Sequence, residues 1–136
     1  MTAGYSGTPL AKKLGIKPDT RLLAVNAPKN YRALLEPLPE GVKIAAKPSK
    51  VGADIVHLFT MSLAQLQREL PKARAAMKID GAIWVSWYKK SAKIPTDVTE
   101  DEIRRRALKT DLVDVKVCAV SEEWSGLKLV VRKHLR

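Results

Sequence analysis

Few side chains in this sequence are of the types that carry catalysis or bind metal ions. His57 and His134 are the only histidines, and Cys118 is the only cysteine. Neither histidine has a partner at a spacing typical of metal ligands, so the sequence predicts no metal site. We interpret His57 as a hydrogen-bonded histidine inside or at the end of a strand, and Cys118 as a small buried apolar residue.

Two runs of charged residues need an interpretation before any chemistry is assigned to them. Residues 100–102 (Glu-Asp-Glu) follow Thr99, which with Glu102 forms a capping box, so the acids are expected in the first turn of a helix that ends near Lys109. Residues 104–106 are three arginines, which on a helix point in directions about 100° apart. We therefore expect a salt-bridged, solvated surface. No Gly-x-Ser-x-Gly and no phosphate-binding Gly-Lys-Ser/Thr motif is present.

The charge of the chain is strongly basic and unevenly distributed. The formal net charge is +11. Residues 1–93 hold 16 lysines and arginines against 6 acidic residues, whereas residues 94–136 hold 9 against 8. A basic field of this size attracts phosphate-rich partners, including RNA, at low salt, but the same charge is also typical of a solvated surface.

The length of the chain and its terminal sequence limit the classes of protein to which it can belong. A chain of 136 residues fits one domain, which we divide into an arm with a short helix (residues 1–20) and a core (residues 21–136). The single cysteine excludes an intramolecular disulfide and suits a reducing compartment. The amino terminus has no leader pattern, and no apolar stretch approaches the ~20 residues that span a bilayer. We predict a cytoplasmic protein without membrane contact.

Local signals predict an alternation of helices and strands. In the arm, Thr8 is expected to cap a short helix, with Pro9 in its first position and Gly15 after its last turn. Pro71 should kink or split the long third helix, and Asp80-Gly81 is expected to turn the chain into an aromatic strand. The elements predicted beyond the arm are strand 21–26, helix 28–36, strand 42–46, strand 53–59, helix 63–78 (capped by Ser62 with Gln65), strand 82–88, helix 100–109, and strands 112–120 and 127–133 joined as a hairpin.

This order predicts a mostly parallel sheet that ends in an antiparallel hairpin. The phrases Ala53-Asp-Ile-Val-His-Leu-Phe59 and Met77-Lys-Ile-Asp-Gly-Ala-Ile-Trp84, separated by a helix, resemble a passage of the class I S-adenosylmethionine-dependent methyltransferases. The resemblance covers about residues 20–133. It implies an α/β, minimal Rossmann-like fold with a six-stranded sheet, helices on both faces, and one helix and one strand fewer than the family.

A second resemblance covers almost the whole chain. The opening Gly4-Tyr-Ser-Gly-Thr-Pro-Leu-Ala-Lys-Lys-Leu-Gly15 and the segment Trp124-Ser-Gly-Leu-Lys-Leu-Val130 are similar to a family of small bacterial proteins known only as a domain of unknown function. This resemblance implies no activity.

The methyltransferase resemblance implies a cofactor site, but this sequence departs from it twice. The family has a glycine-rich turn after the first strand, because the cofactor lies against that backbone. Here the turn is Val25-Asn26-Ala27-Pro28-Lys29-Asn30, without glycine, and Pro28 lacks an amide donor. The family places an acid after the second strand, where this chain has Ala45-Ala46-Lys47. We therefore expect no bound cofactor and no catalysis, with a divergent methyltransferase as the less favoured alternative.

The carboxyl ends of the parallel strands define a speculative ligand cleft. Its predicted members are Asn26, Ala27, Thr60, Met61, Ser86, Trp87, Lys89 and Lys90, with Ser6, Gly7 and Thr8 of the arm folding over it. Trp87, Tyr88 and the two lysines could stack on and pair with a nucleotide-like anion. The interpretation we favour is that Trp84, Trp87 and Tyr88 fill the core, in the space left by the missing cofactor, and that Trp124 caps it. The partner is expected to be a protein or a small ligand; the alternative is an anion- or RNA-binding protein.

Overall fold

The computed structural model describes residues 7–136, so Ser6 of the predicted arm lies outside the described residues. Within residues 7–136 there are four helices and six strands. They are α1 (Leu10–Lys13), β1 (Arg21–Val25), α2 (Tyr31–Leu35), β2 (Lys43–Ala45), β3 (Ala53–Phe59), α3 (Leu63–Ala76), β4 (Met77–Tyr88), α4 (Glu100–Ala107), β5 (Leu112–Ala119) and β6 (Trp124–Val131), with short 3-10 turns at Lys90–Ala92 and Lys133–Leu135.

All six strands form one sheet in the order β2-β1-β3-β4-β6-β5. The first four are mutually parallel. β6 inserts between β4 and β5 and is antiparallel to both. The predicted α/β fold with a six-stranded, mostly parallel sheet and a carboxyl-terminal antiparallel hairpin is therefore confirmed. β6 begins three residues earlier than predicted, at Trp124, which shortens the hairpin loop.

Each face of the sheet carries its own apolar core, because successive side chains of a strand point to opposite faces. Ile83 and Val85 of β4 belong to the core under α3 and α4. Trp84, between them, belongs to the core under α1 and α2. Trp84 is completely buried, and its indole Nε1 donates to the Leu14 carbonyl at 3.0 Å, which ties the end of α1 to the sheet.

The capping predictions for the two longer helices are confirmed. Ser62 accepts a hydrogen bond from the Gln65 amide at the start of α3, and Thr99 accepts one from the Glu102 amide at the start of α4. The arginines of α4 are salt-bridged, as predicted. The ion pairs join Arg104 to Glu100, Asp101 and Asp114, and join Arg105 and Arg106 to Glu102.

Several local predictions for the helices need correction. The prediction that Thr8 caps α1 is wrong, because Pro9 occupies the N-cap position, although Gly15 does follow the helix with a φ of +81°. Pro71 does not split α3, which runs without a break to Ala76. α2 is shorter than predicted because a turn precedes it and because Glu36, before a proline, is extended.

The prediction that Asp80-Gly81 forms a turn is also wrong. Both residues lie within β4, at a shift in strand register where Ala53 pairs with Met77 but Ile55 pairs with Ala82. The extra residues of β4 bulge out of the pairing at this point. Gly81 is required here because a Cβ would lie 2.7 Å from the Asp54 carbonyl oxygen.

We expect Gly81→Ala to destabilise the protein by about 1–3 kcal/mol, because the added methyl group meets backbone atoms that cannot move aside cheaply. Gly7→Ala is the matched control, since nothing lies within 4 Å of a Cβ at Gly7. Urea unfolding of both variants tests this. Equal stabilities would show that the register shift relaxes freely.

Candidate functional site

The parallel strands bring the predicted cleft residues to one edge of the sheet. β1, β3 and β4 run side by side and end at Val25, Phe59 and Tyr88. Asn26, Thr60 and Lys89 directly follow those ends, so they share this carboxyl edge. Gly7 and Thr8 of the predicted arm lead into α1 on one face of the sheet.

Two of the predicted cleft residues point inward. Thr60 and Ser86 are completely buried. The Thr60 hydroxyl donates to the Ser86 carbonyl at 2.9 Å, and the Thr60 amide donates to the same oxygen at 2.9 Å. These polar groups therefore bond to each other and hold the ends of β3 and β4 together.

A buried chain of three side chains connects this edge to α2. His57 is completely buried. Its Nε2 lies 2.6 Å from the Ser86 hydroxyl oxygen, and its Nδ1 lies 2.8 Å from the Tyr31 hydroxyl oxygen. A neutral imidazole satisfies both contacts, because one ring nitrogen donates and the other accepts. His57 is thus the hydrogen-bonded strand histidine that the sequence predicted, whereas Tyr31 as its partner was not foreseen.

Burial keeps this chain uncharged. It lowers the pKa of His57 to about 3, and it raises the pKa of Tyr31. Near neutral pH the imidazole is therefore neutral and the phenol keeps its proton. The three groups can position α2 against the sheet, but Ser86 and His57 have no exposed surface through which to meet a substrate.

Aromatic rings surround the buried histidine. Phe59 stacks on His57 with ring centroids 4.2 Å apart, and Trp124 meets Phe59 edge to face at 4.9 Å. Tyr88 then stacks on Trp124 at 4.0 Å. Trp84 and Trp124 therefore fill and cap the core, which settles that alternative for these two residues.

The remaining cleft residues are more accessible. Asn26 is exposed with a φ of +58°, and Met61 is exposed. Ala27 and Lys89 are partly exposed, and Lys90 is exposed. A cleft of about 650 Å³ opens beside the end of β4. Its lining residues are Trp87, Tyr88, Lys90, Ile94, Pro95, Thr96, Val98, Thr99, Glu100 and Asp101.

Trp87 is the partly exposed tryptophan that lines this cleft. It is partly exposed and packs against the core under α3 and α4, the face opposite to Trp84. Lys90, Glu100 and Asp101 also line the cleft, and both carboxylates are paired with Arg104. Of the predicted cleft residues, the lining thus brings together Trp87 and Lys90. It does not include Asn26, Ala27, Thr60, Met61, Ser86 or Lys89. The prediction that these residues bind a ligand stays a prediction.

Other titratable residues lie outside this edge. Cys118 is only half-buried, so the prediction of a buried cysteine is too strong, and burial raises the pKa of its thiol. His134 is exposed in the last 3-10 turn. Within residues 7–136, no group of three or more histidines, cysteines and carboxylates is placed to hold a metal ion. No helix in the same range has the length and apolarity to cross a membrane.

The strand order defines the class of fold. A parallel sheet whose last inserted strand is antiparallel, with helices on both faces, is the fold of the class I S-adenosylmethionine-dependent methyltransferases. The chain has this fold in a shortened form. No protein-family model and no curated protein matches the chain.

Three solved structures illustrate the likeness. The tRNA methyltransferase TrmK of B. subtilis is 10% identical, with a TM-score of 0.57 over 94% of this chain and 67% of that chain. The DhpI–SAH complex is 10% identical, with a TM-score of 0.57 over 90% and 82%. A ribosomal-protein methylase from Lactobacillus delbrueckii subsp. bulgaricus is 10% identical, with a TM-score of 0.53 over 90% and 74%. At this identity the likeness shows the fold alone.

We expect the free energy of unfolding to fall as the pH drops from 7 to 5. The pKa of His57 is about 3 in the folded protein, whereas an unfolded histidine titrates at about 6.5. The unfolded chain therefore binds the extra proton first, and acid favours it. Urea unfolding at several pH values measures the effect. The His57→Gln variant, although less stable, should lack this component; parallel profiles for the two proteins would contradict the assignment.

Proposed function

We propose that the protein is a non-catalytic methyltransferase-like domain that binds a small ligand or a partner protein at the carboxyl edge of its sheet. One observation carries the proposal: the polar side chains at the ends of β3 and β4 are bonded within the protein. Thr60 and Ser86 are both completely buried. The Thr60 hydroxyl is hydrogen-bonded to the Ser86 carbonyl, and the Ser86 hydroxyl is hydrogen-bonded to His57. They therefore offer no donors or acceptors to a cofactor at this edge.

The residues at this edge also fit S-adenosylmethionine poorly. The turn after β1 has no glycine, Pro28 lacks an amide proton, and Asn26 takes the positive φ that glycine adopts most readily. After β2 the chain reads Ala45-Ala46-Lys47, without a carboxylate to accept hydrogen bonds from a ribose. The missing glycine and the missing carboxylate both support a role in binding rather than in methyl transfer.

We predict that millimolar S-adenosylhomocysteine leaves the thermal unfolding midpoint unchanged. A ligand at about 100 times its dissociation constant stabilises a folded protein by about 2.7 kcal/mol, which in a domain of this size raises the midpoint by several degrees. An active class I methyltransferase in the same buffer serves as the positive control. A clear shift here would support the divergent-methyltransferase alternative, in which the arm closes over the cofactor.

The cleft beside Trp87 supports a small planar anion as the ligand. Trp87 is the tryptophan that is not buried, since Trp84 and Trp124 are. In this cleft the Trp87 ring can stack on a base, and the Lys90 ammonium can attract a phosphate. Glu100 and Asp101 also line the cleft, and although both are paired with Arg104, their carboxylates limit how many negative charges the ligand can carry.

We expect adenosine monophosphate to quench tryptophan fluorescence with a saturable dependence on concentration. Trp87→Phe should remove the quenching, because the remaining tryptophans are buried. Lys90→Gln should weaken binding several-fold, whereas Lys72→Gln, an exposed lysine of α3, should not. Quenching that rises linearly without saturation, or that persists in Trp87→Phe, would exclude this cleft as a nucleotide site.

An anion- or RNA-binding role is the alternative, and the net charge of +11 favours it. This role would use a different surface from the cleft, so it is independent of whether a ligand binds beside Trp87.

A further inference from the structure

Lysines converge on one face of the β5–β6 hairpin. Lys116 of β5 and Lys128 of β6 lie directly opposite each other in the strand pairing. The Lys116 ammonium lies 5.9 Å from the centre of the Trp84 ring, which places it on the face that carries α1 and α2. Lys128 lines a cleft with Lys17, which follows α1. Two strands and the segment after α1 therefore bring three cations together.

This arrangement is electrostatically unfavourable in the free protein. Like charges directly opposite each other on neighbouring strands are destabilising. Burial lowers the pKa of Lys128, and the charges of Lys116 and Lys17 lower it further. Within residues 7–136, none of these three lysines forms an ion pair with a carboxylate. A negatively charged ligand would relieve the repulsion.

The positive charge continues along the hairpin toward the carboxyl edge. The Lys13 ammonium donates to the Ala119 carbonyl at 3.1 Å. The charges of Lys13, Lys116 and Lys89 lower the pKa of the Cys118 thiol, against the effect of burial, so all three lie in its neighbourhood. The backbone amide of Lys89 donates to the Glu123 carbonyl, at the start of β6. From Glu123 to Lys128 the chain extends about 15 Å, so the lysines at its two ends are too far apart to bind the same phosphate group.

Acidic residues lie at both ends of this row, and at the amino edge of the sheet they share a cleft with two of its lysines. Asp19, Asp54 and Asp80 line the cleft that Lys17 and Lys128 share at the amino edge of the sheet, and Asp54 there is bound by Lys78. Glu122 and Glu123 are exposed in the hairpin loop at the other end. The exposed Val117 alternates with Lys116 along β5 and so faces the other side of the sheet. The row is therefore a polar strip with limited length.

We propose that Lys17, Lys116 and Lys128, continued by Lys13 and Lys89, bind the phosphate backbone of single-stranded nucleic acid. Several cations in a row match successive phosphates, and phosphate contacts need charge rather than an apolar anchor. A protein partner would need an apolar centre, which the strip between these lysines does not offer. This inference rests on the RNA-binding alternative and names the residues that would carry it. It does not depend on the cleft beside Trp87 or on any cofactor.

Fluorescence anisotropy with a labelled oligouridylate of about 20 nucleotides tests the proposal over a range of salt concentrations. The site variant is Lys116→Gln with Lys128→Gln. The control variant is Lys47→Gln with Lys50→Gln, two exposed lysines of the β2–β3 loop that change the net charge equally. We expect the site variant to bind roughly tenfold more weakly at low salt and its log–log salt slope to be smaller by about 1.4, since each phosphate contact contributes about 0.7.

Two further measurements separate the proposal from its competitors. Removing the opposed lysines should not lower the thermal midpoint, so weaker binding by the site variant cannot come from unfolding. Asp80→Asn, at the amino end of the strip, should strengthen binding. Absence of binding by the wild-type protein at low salt, or equal loss in both lysine variants, would overturn the proposal. Displacement of the oligonucleotide by polyglutamate at equal charge concentration would also overturn it, in favour of an acidic protein partner.

Discussion

The hydrogen-bonded chain Tyr31–His57–Ser86 is the contact on which this end of the molecule depends. It joins the first turn of α2 to β3 and β4 through groups that are almost completely removed from water. A buried polar group without a partner is costly, so each of the three constrains the other two. The short helix α2, of only five residues, is too short to be stable alone and owes its position to this chain and to the rings around His57.

The same chain explains how a methyltransferase-like fold can close its own carboxyl edge. In open parallel sheets this edge is where ligands bind. Here Thr60 and Ser86 bond inward, and the accessible surface shifts to the cleft beside Trp87. The two proposed binding surfaces are then separate: the aromatic cleft at the end of β4, and the row of lysines on the β5–β6 hairpin. Neither proposal involves S-adenosylmethionine.

Sequence patterns predicted what local signals determine. The apolar run of β3 and the caps Ser62 and Thr99 are encoded within a few residues, and the structure has each of them in place. The contacts between distant residues were not predictable. Tyr31 and His57 are separated by 26 residues, and nothing near either one indicates the other. Asp80-Gly81 is ordinarily a turn signal, but pairing with β3 overrides it.

The lysine strip was hidden for a related reason. Charge counted along the chain places the excess in residues 1–93, yet Lys116 and Lys128 come from the last third and meet Lys17 only through the strand order.

The most direct test of the account is the ring nitrogen NMR shift of His57 between pH 8 and 4. We predict one neutral tautomer throughout, with a ring proton that exchanges slowly. Titration of His57 with a midpoint at about 6.5 would contradict the buried chain and the closed edge that it supports.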